Sequence, residues 1–214
     1  TNLICWASVP SHMVGWHSGQ HRAFITMWEA MSLPESFRET FDSIDTLIVP
    51  SPHNVSLFSQ FHPSVHLMTL GVDPLLWHYT PPPSTSRDFR FLINGRGERK
   101  GVDLAFKAFR TVFRDSTGYD PRPVLVMKSM KAHGGMYASN VEQHSGRITA
   151  SEEVELYSSC HAYLQPSRGE GFGLAPLQAA RRFVPAAAWT SARRSASHLP
   201  YRSRRRRRRR ATRC

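Results

Sequence analysis

Acidic residues are missing from the last 34 positions of this 214-residue chain, and long apolar runs are missing from all of it. Cysteine is scarce: Cys5, Cys160 and Cys214 are too few and too scattered for a disulfide framework or a zinc site. No run of about 18 apolar residues occurs, which excludes a membrane-spanning helix. No basic-then-apolar leader is visible, and the scarcity of cysteine suits a reducing compartment, so a cytoplasmic location is predicted.

The positive charge of the chain is concentrated at one end. The net charge is +12, but 13 of the 28 basic residues lie in residues 181–214, where there is no acidic residue. Residues 1–180 carry 15 basic and 16 acidic residues, a net charge of −1, so the folded part is predicted to be nearly neutral. The tail, 181–214, is predicted either to be a genuine disordered basic segment or to come from a shifted reading frame. Seven adjacent arginines, Arg204 to Arg210, would bind nucleic-acid backbones without sequence preference.

Short apolar runs alternate with helical segments through residues 1–180, a pattern typical of parallel α/β units. Three consecutive prolines indicate a linker at 81–87 between a first domain, 1–80, and a second domain, 88–180. No strand is predicted after the last helix. The predicted strands are Leu3–Ala7, Ala23–Trp28, Thr46–Val49, Val65–Leu70, Phe89–Ile93, Pro123–Met127 and Ala162–Gln165; the predicted helices are Leu33–Phe41, Asn54–Phe61, Val102–Phe113, Thr149–Ser158 and Leu174–Ala180.

A strand, a glycine-rich turn and a helix follow one another between Gln165 and Ala180. Glycines permit a tight turn, and a helix N-terminus presents unpaired N–H groups and the positive end of a dipole, a combination that binds phosphate. The turn is neither a Walker loop nor a dinucleotide fingerprint, because Leu174 stands where the latter needs glycine. Glu170 would repel a diphosphate, so it is predicted to accept hydrogen bonds from sugar hydroxyls. The alternative is a solvated glutamate on a surface loop.

A second turn, Asn94 to Gly101, carries three cations and three glycines directly after a predicted strand. Parallel α/β sheets place ligands at the carboxyl ends of their strands. Arg96 and Lys100 could neutralise a diphosphate there, and a solvated basic turn is the alternative. Glu29, which follows another strand, could orient a ligand or could be an ordinary acid at a helix start.

Several motifs between residues 20 and 180 add to this pattern. Together they resemble motifs of the nucleotide-sugar glycosyltransferases of the large group 1 (family 4) class, which have the GT-B fold of two facing Rossmann-like domains. The most specific of them is Glu170-Gly171-Phe172-Gly173-Leu174. The others are Gly71-Val72-Asp73, Gly95-Arg96 with Lys100-Gly101, the stretch from Gly146-Arg147-Ile148 to Ser167, Thr26-Met27-Trp28-Glu29, Leu33-Pro34 and Val49-Pro50-Ser51.

This resemblance implies a retaining glycosyltransferase that moves a sugar from a nucleoside diphosphate sugar to an acceptor, with neither a cofactor nor a metal ion. It implies that Glu170 is the catalytic residue, holding the sugar hydroxyls. The family pairs this glutamate with a second one eight positions later, where this chain has Gln178, which is expected to bind the ribose. The residues implied to bind the donor diphosphate are Arg96, Lys100, Gly171, Phe172, Gly173 and Leu174.

The expected fold is therefore α/β and GT-B-like, with two Rossmann-like domains. The first is expected to be partial at its N-terminus, and the second to be truncated after its glycine-rich turn. The alternative function is a catalytically inactive remnant, or a nucleic-acid-associated protein that acts through Arg204 to Arg210.

Overall fold

The computed structural model describes residues 3–6, 21–81, 83–84, 87–114, 118–182 and 186–188. Within these ranges the chain forms two parallel sheets flanked by helices. The first sheet has the strand order β1-β2-β3-β4, so each strand lies beside the next one in sequence. Its elements, which together form the first unit, are β1 (Leu3–Trp6), β2 (Arg22–Ile25), α1 (Phe37–Phe41), β3 (Thr46–Val49), α2 (Pro52–Phe58) and β4 (Val65–Leu67).

Aromatic and aliphatic side chains form the core of the first unit. Phe24 and Leu47 on the strands are fully buried against Phe41 of α1 and Phe58 of α2. Ser51 caps α2 by accepting a hydrogen bond from the backbone N–H of Asn54, and a proline follows at the first helical position. Both features fix the start of α2 directly after β3.

The second sheet has the strand order β7-β6-β5-β8-β9, again all parallel. The chain leaves the central strand β5 toward β6 and β7 and then returns to the other side of β5 as β8. The direction therefore reverses between β5 and β8, and open α/β sheets bind ligands at such a point. The elements of this second unit are β5 (Asp88–Asn94), a 3-10 turn (Glu98–Lys100), α3 (Val102–Val112), β6 (Arg122–Ser129), β7 (Val141–Ser145), α4 (Ala150–Ser158), β8 (Ala162–Gln165), α5 (Leu174–Arg181) and β9 (Ala186–Ala188).

Two helices of the second unit follow their sequence signals closely. The apolar positions Val102, Ala105 and Phe109 of α3 are buried, as their helical spacing predicts. The predicted capping box at the start of α4 is present: Thr149 and Glu152 each accept a hydrogen bond from the other's backbone N–H. The alternation of strands and helices is therefore confirmed.

Two strands of the structure and the bounds of several elements differ from the sequence interpretation. Strands β7 and β9 were not predicted. Strand β9 follows α5, after which no strand was expected. Helix α1 begins at Phe37, later than the predicted start at Leu33, and β2 ends at Ile25 rather than at Trp28. Helix α2 ends at Phe58 rather than at Phe61, and β4 ends at Leu67 rather than at Leu70. Residues 189–214, which include Arg204 to Arg210, lie outside the described residues, and the domain bounds at 80, 87 and 180 stay predictions. Among the described helices none is long and apolar enough to cross a membrane.

The amino edge of the second sheet, where its strands begin, is crossed by ion pairs. Arg122 donates to both carboxylate oxygens of Asp88 at 3.0 and 3.1 Å, and these bonds lower the pKa of Asp88. Arg90 reaches across β6 to Glu142 with bonds of 2.9 and 2.7 Å. Burial acts to lower the pKa of Arg90, but the bonds to Glu142 outweigh it and the pKa is raised. All four side chains belong to regular strands.

Candidate functional site

Two turns leave the carboxyl edge of the second sheet side by side. Strands β5 and β8 are parallel neighbours, with Phe91 opposite Ala162 and Leu92 opposite Tyr163. The turn after β5, residues 95–101, and the glycine turn after β8, residues 166–173, therefore start at the same edge. The prediction that both turns open at the same edge of the sheet is confirmed.

The two turns interlock through their backbones. Gly101 has φ +66°, and a β-carbon at this position would lie 2.0 Å from the carbonyl oxygen of Pro166. The carbonyl oxygen of Arg99 accepts the backbone N–H of Arg168 at 2.7 Å and the hydroxyl of Ser167 at 3.0 Å. A glycine is required at 101 because the other turn leaves no room for a side chain.

Glu170 lies at the centre of the interlocked turns. Its Oε1 accepts hydrogen bonds from Lys100 Nζ at 2.6 Å, Gln165 Nε2 at 2.6 Å and Ser167 Oγ at 2.8 Å. Its side chain is only 16 % exposed, so the alternative of a solvated surface glutamate is wrong. The nearest cation to the second oxygen, Oε2, is Arg99 at 3.9 Å. One oxygen of the carboxylate is thus fixed by three hydrogen bonds, while the distance from the other to Arg99 is too long for a hydrogen bond.

Arg96 projects from the turn after β5 as an exposed side chain. It lies close enough to His133 to affect that ring: burial, and then the charge of Arg96, lower the pKa of His133. Gln143 on β7 fixes the His133 backbone by accepting its N–H at 2.8 Å. His133 Nε2 is buried and has no hydrogen-bond partner within the described residues. Sequence reasoning missed His133, because nothing in its local pattern distinguishes it from the other ten histidines of the chain.

The glycine turn ends at the N-terminus of α5. Gly173 has φ +89° and precedes the first helical residue, Leu174. The N–H groups of Leu174 and Ala175 precede the hydrogen-bond ladder of the helix, whereas Pro176 has no N–H to offer. Gln178, one turn further along α5, is partly buried, and its side chain makes no hydrogen bond within the part of the chain that the structure describes.

The glycine turn also contacts the first unit. Asn54, in the first turn of α2, donates from Nδ2 to the carbonyl oxygen of Gly171 at 3.3 Å. Arg99 Nη1 lies 3.0 Å from Glu29 Oε1 and donates to the carbonyl oxygen of Gly169 at 3.0 Å. Glu29 follows β2 and Asn54 follows β3, so the carboxyl edges of the two sheets face each other across this contact.

Two further observations delimit the site. Within the described ranges no three His, Cys, Asp or Glu side chains are grouped so that they could hold a metal ion. A cavity of about 420 Å³ opens beside α3, lined by apolar side chains such as Leu104, Phe109 and Val112. Such a lining offers no partner to a phosphate or a sugar hydroxyl, and the polar groups that could bind them lie instead at the carboxyl edge.

Comparison with solved structures shows the same fold in glycosyltransferases. The structure of TarM covers 87% of this chain with a TM-score of 0.67 at 14% identity, and 40% of TarM is matched. A point mutant of S. aureus TarM, in complex with fondaparinux, alpha-GlcNAc-glycerol and UDP, has a TM-score of 0.61 at 15% identity. The match covers 81% of this chain and 37% of the TarM mutant. Trehalose-6-phosphate synthase from Burkholderia multivorans has a TM-score of 0.59 at 10% identity, and the match covers 80% of this chain and 52% of the synthase.

The chain therefore spans about half or less of the length of these proteins, and its α/β fold is part of a GT-B fold. No curated protein sequence matches it. Residues 53–188 match the family described as Family 4 Glycosyltransferase in conflict systems. The match includes both turns of the carboxyl edge and continues through β9, eight residues into the predicted tail. The chain belongs to this family of glycosyltransferases.

Proposed function

We propose that the carboxyl edge of the second sheet binds a nucleoside diphosphate sugar, and that the protein transfers the sugar to an acceptor with retention at the anomeric carbon. The observation that carries this proposal is the interlocked pair of turns, which brings Lys100 and Glu170 within 2.6 Å of each other at the topological switch of the sheet. The complex of the TarM mutant contains UDP, which supports a nucleoside diphosphate as the ligand.

The diphosphate leaving group needs cations and N–H donors, because negative charge develops on it as the sugar departs. Arg96 is exposed at the mouth of the site and can present a planar fork of donors to phosphate oxygens. Lys100 supplies a point charge, and the start of α5 supplies the N–H groups of Leu174 and Ala175. Gly171, Phe172 and Gly173 form the backbone that leads the diphosphate to this helix end.

The sugar would lie against Glu170. Oε1 of this carboxylate already accepts three hydrogen bonds, so Oε2 is the oxygen that can accept sugar hydroxyls. A hydroxyl held by an ionised carboxylate makes a stronger hydrogen bond than one held by a neutral acceptor. Glu170 therefore orients the sugar while Arg96 and Lys100 stabilise the departing diphosphate, and this chemistry requires no covalent nucleophile.

Gln178 would bind the ribose of the donor. Its amide has no other partner among the described residues, and it lies one helical turn beyond Leu174 on α5. An amide bonds a ribose hydroxyl without the contribution of a full charge, so its share of the affinity is smaller than that of the cations.

Titration calorimetry of the 214-residue chain with UDP, GDP and ADP tests the diphosphate site. We expect one of the three to bind, and Arg96→Ala to weaken that binding at least tenfold because a charge-assisted contact to phosphate is lost. Arg87→Ala is the matched control, since Arg87 is an exposed arginine at the opposite edge of the sheet. Equal affinities for Arg96→Ala and the wild-type chain would contradict the proposal.

A further inference from the structure

We propose that the first unit positions the donor site. Asn54 and the segment Met27-Trp28-Glu29 hold the glycine turn in the position from which Glu170 reaches the donor. This inference rests on the proposed function for its consequence, but its structural part concerns only how the turn is held. Asn54 and Met27 are assigned here as positioning residues, since each would act on the donor through the glycine turn that it contacts at Gly171.

Asn54 is a buried polar anchor between the two units. Its side chain is 0 % exposed, so each of its polar atoms must find a partner inside the protein. Oδ1 accepts the backbone N–H of Trp28 at 2.6 Å, and Nδ2 donates to the Trp28 carbonyl at 3.1 Å and to the Gly171 carbonyl at 3.3 Å. One amide group therefore links the segment after β2 to the glycine turn, 117 positions away in sequence.

Two glycines of the turn are in close contact with the same segment of the first unit. A β-carbon at Gly169 would lie 2.2 Å from the carbonyl oxygen of Glu29, and one at Gly171 would lie 2.9 Å from the sulfur of Met27. Neither residue has a φ in the left-handed region, so the local backbone does not require glycine at either position. The first unit requires it, because its surface touches the turn directly.

Arg99 connects these contacts to Glu170. One nitrogen, Nη1, lies 3.0 Å from Glu29 Oε1, donates to the Gly169 carbonyl at 3.0 Å, and is 3.9 Å from Glu170 Oε2. Oε2 of Glu170, which we assign to the sugar, therefore lies near Arg99, and the carboxylate closest to Arg99 is that of Glu29 in the first unit. Loosening the contact between the units would move the turn, and with it both Glu170 and the start of α5.

The test uses the full chain and a pair of matched variants. Asn54→Asp keeps the size of the side chain but places an oxygen against the carbonyls of Trp28 and Gly171. Asn140→Asp makes the same change at another buried asparagine, 2 % exposed, which is not part of the turn. Its Nδ2 donates to the Phe113 carbonyl at 2.9 Å, and its Oδ1 accepts from Arg110 at 3.4 Å, so part of the new charge is compensated there. We expect both to lower the melting temperature, but only Asn54→Asp to speed hydrogen exchange at residues 166–173 and to weaken the tightest of UDP, GDP and ADP at least tenfold.

Hydrogen exchange without nucleotide separates the two proposals. Unchanged exchange at residues 166–173 in Asn54→Asp, or an equal increase in Asn140→Asp, overturns the positioning role whatever the nucleotide affinities are. Faster exchange in Asn54→Asp alone, together with nucleotide binding that does not depend on Arg96, supports the positioning role and overturns the proposed donor site.

A rescue experiment covers the case in which Asn54→Asp does not fold. Gly171→Ala adds a methyl group that meets Met27, and we expect it to weaken nucleotide binding about tenfold. Met27→Gly in the same chain removes the Cβ, Cγ and Sδ atoms that the methyl group would meet and should restore the affinity to within about threefold of the wild-type value. Failure of this rescue would mean that the methyl group disturbs the donor itself, and would overturn the role of the first unit.

Discussion

The amino and carboxyl edges of the second sheet both carry ion pairs, but the paired residues lie on strands at the amino edge and in turns at the carboxyl edge. At the amino edge, Arg90 pairs with Glu142 and Arg122 with Asp88, each through two hydrogen bonds between residues of regular strands. At the carboxyl edge, Lys100 meets Glu170 through a single bond in the space between two turns. Both carboxylate oxygens of Glu142 and of Asp88 are bonded to an arginine, whereas Oε2 of Glu170 lies 3.9 Å from Arg99, too far for a hydrogen bond.

This difference separates two uses of an ion pair. The backbone hydrogen bonds of the sheet hold the strands in place, so an ion pair with two hydrogen bonds between strand residues contributes to stability. Both carboxylate oxygens are occupied there, and neither can accept a hydrogen bond from a ligand without breaking the pair. The two turns are held together by the packing of Gly101 against Pro166 and by the hydrogen bonds of Ser167 and Arg168 to the Arg99 carbonyl. The bond between Lys100 and Glu170 can therefore be exchanged for a bond to a ligand. The carboxyl edge should therefore lose function, and the amino edge stability, when a pair is broken.

The largest effect is expected where the two turns meet. Gly101→Ala combines a left-handed φ with a β-carbon 2.0 Å from the Pro166 carbonyl, and should destabilise the protein by about 3–5 kcal/mol and abolish nucleotide binding. Gly118→Ala is the control: its φ is +79°, but nothing lies within 4 Å of its β-carbon, so only the conformational cost of about 1–2 kcal/mol applies. Thermal and urea unfolding measure both, and equal losses would contradict the interlock.

A smaller loss is expected from the amino edge. Glu142→Gln removes the charge partner of Arg90, whose Nε already has no hydrogen-bond partner within the described chain, and should cost about 1–3 kcal/mol of unfolding free energy. Nucleotide affinity should stay within about twofold of the wild-type value, because this edge faces away from the proposed site. Calorimetry and urea unfolding of the same sample distinguish the two effects, and a tenfold loss of affinity would remove the distinction between the edges.

The smallest change in stability is expected for Lys100→Met. Its partner Glu170 keeps the hydrogen bonds from Gln165 and Ser167, so the carboxylate is not left unsatisfied and the expected cost is about 1 kcal/mol. Nucleotide binding should nevertheless weaken at least tenfold, because the point charge on the diphosphate is lost. A variant that is destabilised as strongly as Glu142→Gln, yet binds nucleotide normally, would assign Lys100 to structure instead.

Most of the fold could be predicted because its signals are local. Apolar spacing identifies α3 and the capping box identifies α4, each within one short stretch of chain. Strand β7 gave no such signal, because it lies at the edge of the sheet and reads Val-Glu-Gln-His-Ser, only partly buried. Strand β9 consists of three alanines, which have little preference for strands.

The site could be predicted only as far as its residues follow strands. Arg96, Lys100 and Glu170 come directly after β5 or β8, and the rule that parallel strands present ligands at their carboxyl ends predicts one shared edge. Asn54 could not be found in this way, because its partner Gly171 is 117 positions distant, in a turn of the second unit. The same holds for Gly169, where the neighbour that demands glycine is the backbone of Glu29.

The close approach of Gly101 to Pro166 has a consequence for exchanging parts between homologous enzymes. A loop graft that replaces only the turn after β5, or only the turn after β8, would join two backbones that were not selected to fit within van der Waals distance. Chimaeras designed to change donor preference should therefore carry residues 95–101 and 166–173 over together, as one cassette.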